Sequence, residues 1–166
     1  MKYKISVNLE VSLVEIILSV LIFAVSGAIM LSCFAAARFT QVKANDKVAA
    51  GNIVQSDAEM IKSFDDTYEM EEYLADNFKL LKKSGNENIY ISYYDKGWNI
   101  CDEKSKEYSI RLKVSDVSVN SGQMKEVNIR AERAESYPFI NKSKEKTDYI
   151  YEIETSKFFP NYKYGR

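Results

Sequence analysis

One carboxylate, Glu15, lies at the start of a long apolar run and is the clearest candidate in this chain for a chemical role. From Ile16 to Ala37, about 22 residues carry no formal charge, and a helix rising about 1.5 Å per residue would span hydrocarbon about 30 Å thick with that length. An ionised carboxylate in such a span costs a few kcal/mol, so it normally has a partner or a function. We therefore predict a specific contact for Glu15.

Other chemistry is restricted by composition. The chain has no histidine, which excludes Ser-His-Asp and Cys-His catalysis and zinc sites that use histidine. Its six glycines form no phosphate-binding loop, and the scattered carboxylates mark no catalytic pair. One acidic cluster lacks the alternating spacing and turn glycine of a calcium loop. It comprises Asp65, Asp66, Glu69, Glu71 and Glu72. We expect no catalytic residue, no metal site and no cofactor.

The charge and the cysteines exclude further classes of partner and site. The 23 basic and 24 acidic residues nearly cancel and are interspersed, so we expect no dedicated nucleic-acid binding. Cys33 lies in the apolar run and Cys101 lies far beyond it, which would place them in different compartments. We therefore predict two free thiols rather than a disulfide.

Helical periodicity continues after the apolar run. No proline interrupts the chain from Val11 to Phe64, and Gly51 costs about 1 kcal/mol without ending a helix. The pattern predicts one helix of about 50 residues whose second half is amphipathic. The predicted apolar face comprises Val42, Ala49, Ile53, Met60 and Phe64, with Ala50, Val54 and Ile61 alongside.

The remaining sequence favours one short helix and a set of antiparallel strands. Asp65-Asp66-Thr67 followed by Glu69 is typical of a helix start, so a second helix is predicted from Asp65 to Leu81, closed by residues 82–88. Period-two alternation then predicts strands. The predicted strands are residues 89–93, 108–119, 127–131 and 149–155, with a bulge in the second near Ser115-Asp116. A turn at 95–97, followed by Trp98 and Ile100, comes after the first strand, and a hairpin turn at 120–122 joins the second to the third. A polar loop at 136–146 precedes the last strand, and residues 158–160 follow it as a tail.

These elements predict an α+β fold, in which a long N-terminal helix packs on a small antiparallel β-sheet head. The transmembrane half of that helix precedes its amphipathic half. The predicted organisation is a leader peptide at 1–10, a transmembrane helix at 11–38, its amphipathic continuation at 39–64, and a globular α+β head at 65–166.

The residues from Val11 to Ile29 resemble the N-terminal segment of type IV prepilins and type II secretion pseudopilins, with a short basic leader followed by Val-Ser-Leu-Val-Glu-Ile. The resemblance implies that prepilin peptidase cuts between Glu10 and Val11 and that the new amine of Val11 is methylated. Glu15 would then be the fifth mature residue. The family is pilin-like in fold, and the order of helix, hairpin and final strand looks like its minor subunits.

The resemblance implies a structural, non-catalytic subunit of a bacterial filament, assembled through the N-terminal helix. Glu15 would pair with the terminal amine of Val11 on a neighbouring subunit. Its partners would be the membrane, the peptidase, other pilin or pseudopilin subunits and an assembly platform. The chain would start as a single-pass membrane protein with a cytoplasmic N-terminus and an outward-facing head, then join an extracellular or periplasmic filament. Small residues suited to close helix packing are Ser19, Ala24, Ser26, Gly27, Ala28 and Ser32.

Two departures from the family pattern are informative. The residue before the cut is nearly always glycine in the family, whereas this chain has Glu10. The helix-loosening proline of many major pilins is also missing, which favours a minor component.

Alternatives remain open. The first is a single-span anchor that is never cleaved and carries an interaction domain, with Glu15 reaching the cytoplasmic headgroups. Another is a secreted or lipid-anchored protein, cut after Ala35-Ala36-Ala37 or lipidated at Cys33, although both would require a charged residue in an overlong signal-peptide core.

Overall fold

The computed structural model describes residues 9–119, 122–135, 137 and 149–160. Its elements, in chain order, are a long helix, a short helix, two strands, a single 3-10 turn and three more strands. They are α1 (Leu9–Ser63), α2 (Thr67–Asn77), β1 (Lys79–Ser84), β2 (Glu87–Tyr94), the 3-10 turn (Glu103–Ser105), β3 (Tyr108–Val119), β4 (Gly122–Arg133) and β5 (Tyr149–Pro160). The predicted α+β architecture, a long N-terminal helix packed on an antiparallel sheet, is confirmed.

The chain divides into two compact units, Met1–Gln41 and Val42–Arg166. The second unit contains the last part of α1, α2 and the whole sheet, so the amphipathic stretch of α1 and the strands form one body. Within it, five strands lie in the order β1-β2-β3-β4-β5 with every neighbouring pair antiparallel.

The core of the second unit lies between α1, α2 and one face of the sheet. Strand β3 contributes four alternate residues, Tyr108, Ile110, Leu112 and Val114, as the period-two pattern predicted. Its partner strand β4 contributes Val127, Ile129 and Ala131, also as predicted. From the helices come Ala50, Val54, Ala58, Ile61, Met70 and Leu74.

The buried stripe of α1 is offset by one residue from the predicted face. Ala50, Val54 and Ile61 are fully buried, whereas Met60 is 44% exposed. Val42, Ala49, Ile53 and Phe64 of the predicted face are half-buried, so they lie at the border of the buried stripe rather than at its centre. Asp46 continues the same stripe and is buried as well.

Helix α2 begins and ends inside its predicted bounds. The carboxylate of Asp66 accepts hydrogen bonds from the backbone N–H groups of Tyr68 and Glu69, at 2.6 and 2.9 Å, which makes it the N-cap. The prediction that helix continues to Leu81 is wrong, because residues 79–84 form β1. Every residue of β1 is exposed, so no alternation of polarity marked it as a strand.

Three other predictions are corrected. The pairing of β3 with β4 is continuous from Tyr108 to Val119, so there is no bulge at Ser115-Asp116. The polarity change there arises because Asp116 occupies an inward position and binds Lys125 at 2.9 Å. Strand β5 extends to Pro160, so residues 158–160 are strand rather than tail. After the turn at 95–97, Trp98 and Ile100 do not form a strand, and Ile100 makes only an isolated bridge with Tyr94.

Two predicted turns lie partly or wholly outside the described residues. Asn120 and Ser121 are not described, but Val119 pairs with Gly122, so the β3–β4 hairpin is confirmed up to its turn. The predicted polar loop at 136–146 is described only at Tyr137.

Candidate functional site

Glu15 lies in helix α1 with its side chain exposed. Its backbone carbonyl accepts a hydrogen bond from the Ser19 hydroxyl at 2.8 Å, so the serine is satisfied within its own helix. Among the described residues no cation pairs with the Glu15 carboxylate. The carboxylate is therefore available to a group outside this part of the chain.

A row of small polar residues shares the face of α1 that carries Glu15. Its members are spaced by seven residues. On a helix of 3.6 residues per turn, each member is therefore rotated by only about 20° around the helix axis from the one before it. They are Ser12, Ser19, Ser26, Cys33 and Thr40. We call this row, with Glu15, the Glu15 face. A seven-residue repeat is typical of helices that pack along one another.

Two side chains of the Glu15 face are satisfied within their own helix. The Thr40 hydroxyl donates to the Ala36 carbonyl at 2.9 Å, as Ser19 does to the Glu15 carbonyl. At these two positions a second helix could approach closely without burying an unpaired hydroxyl. The seven-residue spacing was visible in the sequence but was not used in the prediction, which named only Ser19 and Ser26 of the row.

The six small residues predicted for helix packing do not form one surface. By helical geometry Ser19 lies about 40° from Glu15, whereas Ala24 and Ala28 lie about 180° and 140° from it. Gly27 lies between these two sides, with no atom within 4 Å of the position its Cβ would take. The structure thus brings Ser19 to Glu15 but places Ala24 and Ala28 on the opposite side of α1.

Around the rest of this stretch, large apolar side chains are exposed. Phe23 is 81% exposed and Leu31 is 72% exposed, and no face is spared. A surface this apolar is covered in a cell, by lipid or by other helices. By length and composition the helix could cross a membrane once. The other exposed members are Leu13, Val14, Ile16, Ile17, Leu18, Val20, Leu21, Ile22, Val25, Ile29, Met30 and Phe34.

The predicted cleavage site, Glu10 to Val11, lies within the first turns of α1. The side chains of these two residues lie outside what the structure describes. The bond that a peptidase would cut is therefore placed in helical backbone, four to five residues before Glu15.

The second unit contains a buried polar cluster centred on Asp46. Its carboxylate accepts hydrogen bonds from the hydroxyls of Tyr108 at 2.9 Å and Tyr137 at 2.7 Å. Burial and the hydrogen bond to Asp46 raise the pKa of both phenols, so both stay neutral donors. Arg133 lies over the Tyr137 ring at 4.4 Å and pairs with Glu107. This cluster joins α1 to the sheet.

A half-buried carboxylate, Asp57, faces α2. Its Oδ1 accepts a hydrogen bond from the Tyr73 hydroxyl at 3.0 Å, while its Oδ2 is buried with no protein partner among the described residues. Burial raises the pKa of Asp57 from 3.8 to about 6, and the hydrogen bond from Tyr73 opposes that rise only in part. Neither the Asp46 nor the Asp57 cluster was predicted, because each assembles residues far apart in sequence.

The described residues hold no group of three or more metal-ligating side chains that could bind a cation. Cys33 is exposed and Cys101 is half-buried, and both are free thiols, as predicted. The described residues therefore offer the Glu15 face as a surface for contact. They also show a head in which Asp46 and Asp57 form hydrogen bonds between its elements.

No protein-family model, curated protein or solved structure matches this chain.

Proposed function

We propose that this chain is a structural subunit, of the minor pilin or pseudopilin kind, that assembles through helix α1 into a type IV pilus-like or type II secretion-like filament. The observation that carries the proposal is the Glu15 face. A single carboxylate and a row of small side chains at seven-residue spacing lie on a stretch of helix that has no formal charge from residue 16 to residue 37 and exposes many large apolar side chains. Lipid alone gives an ionised carboxylate no partner, whereas a second helix bearing a cation would.

In this proposal prepilin peptidase removes residues 1–10, and Val11 becomes a methylated, positively charged terminus. Glu15 then pairs with the Val11 amine of a neighbouring subunit. In a bundle of low dielectric constant, removing one member of such a pair costs about 3–5 kcal/mol. The pair would therefore set the register between subunits, while the small side chains allow the helices to approach.

The architecture of the second unit is compatible with this role. The last part of α1 is packed on a five-stranded sheet, and the same helix continues without a break into the apolar stretch. One helix therefore supplies both the apolar stretch and part of the core of the folded head. An assembly subunit needs such a link between its contact with neighbours and its exposed domain.

The alternative function is an uncleaved, single-span membrane anchor that carries an interaction domain. Glu10 favours it, because the position before the cut is nearly always glycine in the family that the N-terminus resembles. In that case Met1 would be retained, and Glu15 would lie near the headgroups without a subunit partner.

The test is the substitution Glu15→Val in the full chain, expressed in its host. We expect membrane insertion to be kept, since an apolar side chain replaces a charged one, and incorporation into sheared, purified filaments to fall by a factor of at least about 10², as a loss of 3–5 kcal/mol implies. The matched control is Glu72→Val, which removes an exposed carboxylate from α2 and should leave incorporation unchanged.

Mass measurement of the N-terminus separates the two functions. Methylated Val11 is expected from the filament subunit and Met1 from the uncleaved anchor. Normal incorporation of the Glu15→Val variant, or retention of Met1 on all of the protein, would contradict the proposal.

A further inference from the structure

The face of the sheet that points away from α1, here called the outer face, carries rows of paired residues that cross all five strands and have charged residues at both ends. One row of paired residues runs from the first strand to the last as Lys79, Ile91, Arg111, Arg130 and Glu152. The row therefore begins with a lysine on β1 and ends with a glutamate on β5.

The next row repeats the arrangement. It runs as Lys82, Ile89, Lys113, Asn128 and Glu154 through the same four strand pairings. Two successive rows thus place an amine at one edge of the sheet and a carboxylate at the other. Because successive strands are antiparallel, β1 and β5 run in the same direction. Along that direction Lys79 precedes Lys82 at one edge, and Glu152 precedes Glu154 at the other.

The lysines at the β1 edge are not used within the described part of the chain. Lys79 and Lys82 are exposed and form no ion pair there. At the other edge, Glu152 is held by Arg130 at 2.6 Å, and Glu154 accepts a hydrogen bond from Asn128 at 3.0 Å. Glu154 therefore has no cationic partner among the described residues, and its charge is open to a neighbour.

Charge also separates over the outer face as a whole. Strands β4 and β5 place four carboxylates there against one guanidinium, namely Glu126, Glu132, Glu152 and Glu154 against Arg130. Strands β1 to β3 place four cations against one carboxylate, namely Lys79, Lys82, Arg111 and Lys113 against Glu87. The two ends of one face are thus of opposite sign.

We propose that the second unit binds another copy of this chain edge to edge, with Lys79 and Lys82 on β1 of one copy against Glu152 and Glu154 on β5 of the next. A copy displaced sideways along the sheet continues both rows and brings each lysine to a glutamate. Such a head-to-tail contact uses two different surfaces, so each copy in a pair keeps one of them free for a further subunit. It deepens the proposed function by naming the head surfaces that would meet in a filament.

The contact is made by side chains rather than by a shared backbone ladder. The pairing of β1 shifts register between Leu80 and Lys82, and such an irregularity, together with lysines, prevents regular strand addition at an edge. Long amines can still reach carboxylates across this irregular edge. Opposite charges steer and orient the copies and exclude the reversed arrangement, in which lysines would meet lysines.

The experiment is zero-length cross-linking of the full chain in detergent micelles with a water-soluble carbodiimide, which joins a carboxylate to an amine. Within one sheet the two edges are four strand spacings apart, about 19 Å, so an amide between Lys82 and Glu154 can form only between copies. We expect this adduct in a mixture of isotope-labelled and unlabelled chains, joining labelled to unlabelled peptides. Absence of the mixed adduct would overturn the inference.

Charge-exchange variants at Lys82 and Glu154 test the pairing itself, and the measured quantity is the yield of the cross-link between Lys79 and Glu152 of different copies. The single variants Lys82→Glu and Glu154→Lys should each lower the yield of that adduct at least about fivefold, because like charges then face each other. The double variant should restore it to within about twofold. The matched control Glu72→Lys changes an exposed carboxylate on α2 and should have no effect. Fluorescence of Trp98 reports whether each variant is folded. Single variants that cross-link normally, or a double variant that is not rescued, would contradict the contact.

These results are separable from the function proposed above. If Glu15→Val abolishes incorporation while the charge variants behave like the original chain, the edge contact is wrong and the filament role stands. If the charge variants respond as expected while Glu15→Val has no effect, the edge contact stands and the role of Glu15 is wrong.

Discussion

Helix α1 contains two stretches that share the same secondary structure but differ in the burial of their apolar side chains. From residue 12 to residue 41 its large apolar side chains are exposed, with Ile17 at 60%. From residue 42 to residue 63 its apolar stripe is buried on the sheet, with Ile61 at 0%. The backbone is helical throughout. What differs is the partner: one stretch finds its apolar partner within the chain, and the other must find it in lipid or in other chains.

The comparison teaches that helix length and polarity do not by themselves distinguish an anchor from a core element. The distribution of charge around the helix does. In the first stretch exposed apolar residues lie on every side of the helix, with Ile22 and Ile29 beside Glu15, whereas in the second they occupy a single stripe flanked by polar residues. Substitutions placed at matched positions in the two stretches can test this distinction directly.

The largest effect is expected from removing an isoleucine from the core. Ile61→Ala should destabilise the second unit by about 2–5 kcal/mol, because it leaves a cavity at a fully buried site. Ile17→Ala removes the same atoms from an exposed site and should leave the unfolding free energy of that unit unchanged. Denaturant unfolding followed by Trp98 fluorescence measures both. Equal effects would mean that the two stretches are not energetically distinct.

A smaller effect, dependent on pH, is expected at Asp57. Because burial raises its pKa to about 6 in the folded chain, the folded state holds a proton that the unfolded state releases above about pH 4. The stabilisation from this group is therefore complete below about pH 4 and lost as pH rises through about 6. Asp57→Asn should raise stability near pH 7 by about 2 kcal/mol and have little effect near pH 4.

Unfolding of both proteins across pH 4 to 8 provides the measurement for Asp57. The variant should lose the decline in stability between pH 4 and 6 that the original chain shows. A decline of the same size in both proteins would assign it to another group. Loss of stability in the variant at pH 7 would contradict the account of Asp57 as a half-buried, destabilising charge.

The smallest effect is expected at the two helical glycines of α1. A Cβ at Gly51 would meet the Tyr151 ring at 3.5 Å, an ordinary contact, so Gly51→Ala should stabilise the second unit by about 0.5–1 kcal/mol. Gly27→Ala, in the first stretch, has the same helix propensity gain but should not change unfolding of the second unit. Thermal unfolding is the measurement, and a destabilised Gly51→Ala variant would show that the helix cannot tolerate the added methyl group beside β5.

Much of the fold could be predicted because its signals are local. The absence of proline predicted one continuous helix, and alternation of polarity predicted β3 and β4 with the correct inward residues. Strand β1 could not be predicted in this way, because all of its side chains are exposed and only pairing with β2 makes it a strand. The predicted bulge in β3 was wrong for a similar reason, because pairing with β4 was not visible in the local sequence. The register places Asp116 on the inner face, where Lys125 neutralises it.

The sequence by itself determined the two periodicities of α1, the position of Glu15 at the start of an uncharged run, and the alternation that sets the inner face of the sheet. These depend on residues within a few positions of one another. Only the tertiary structure decided which carboxylates are buried and which lysines and glutamates share a row. Asp46 meets Tyr108 and Tyr137, and Lys79 shares a row with Glu152, through strand order and register. The physical reason is that burial and charge pairing depend on distance in space, which chain folding sets and local composition does not.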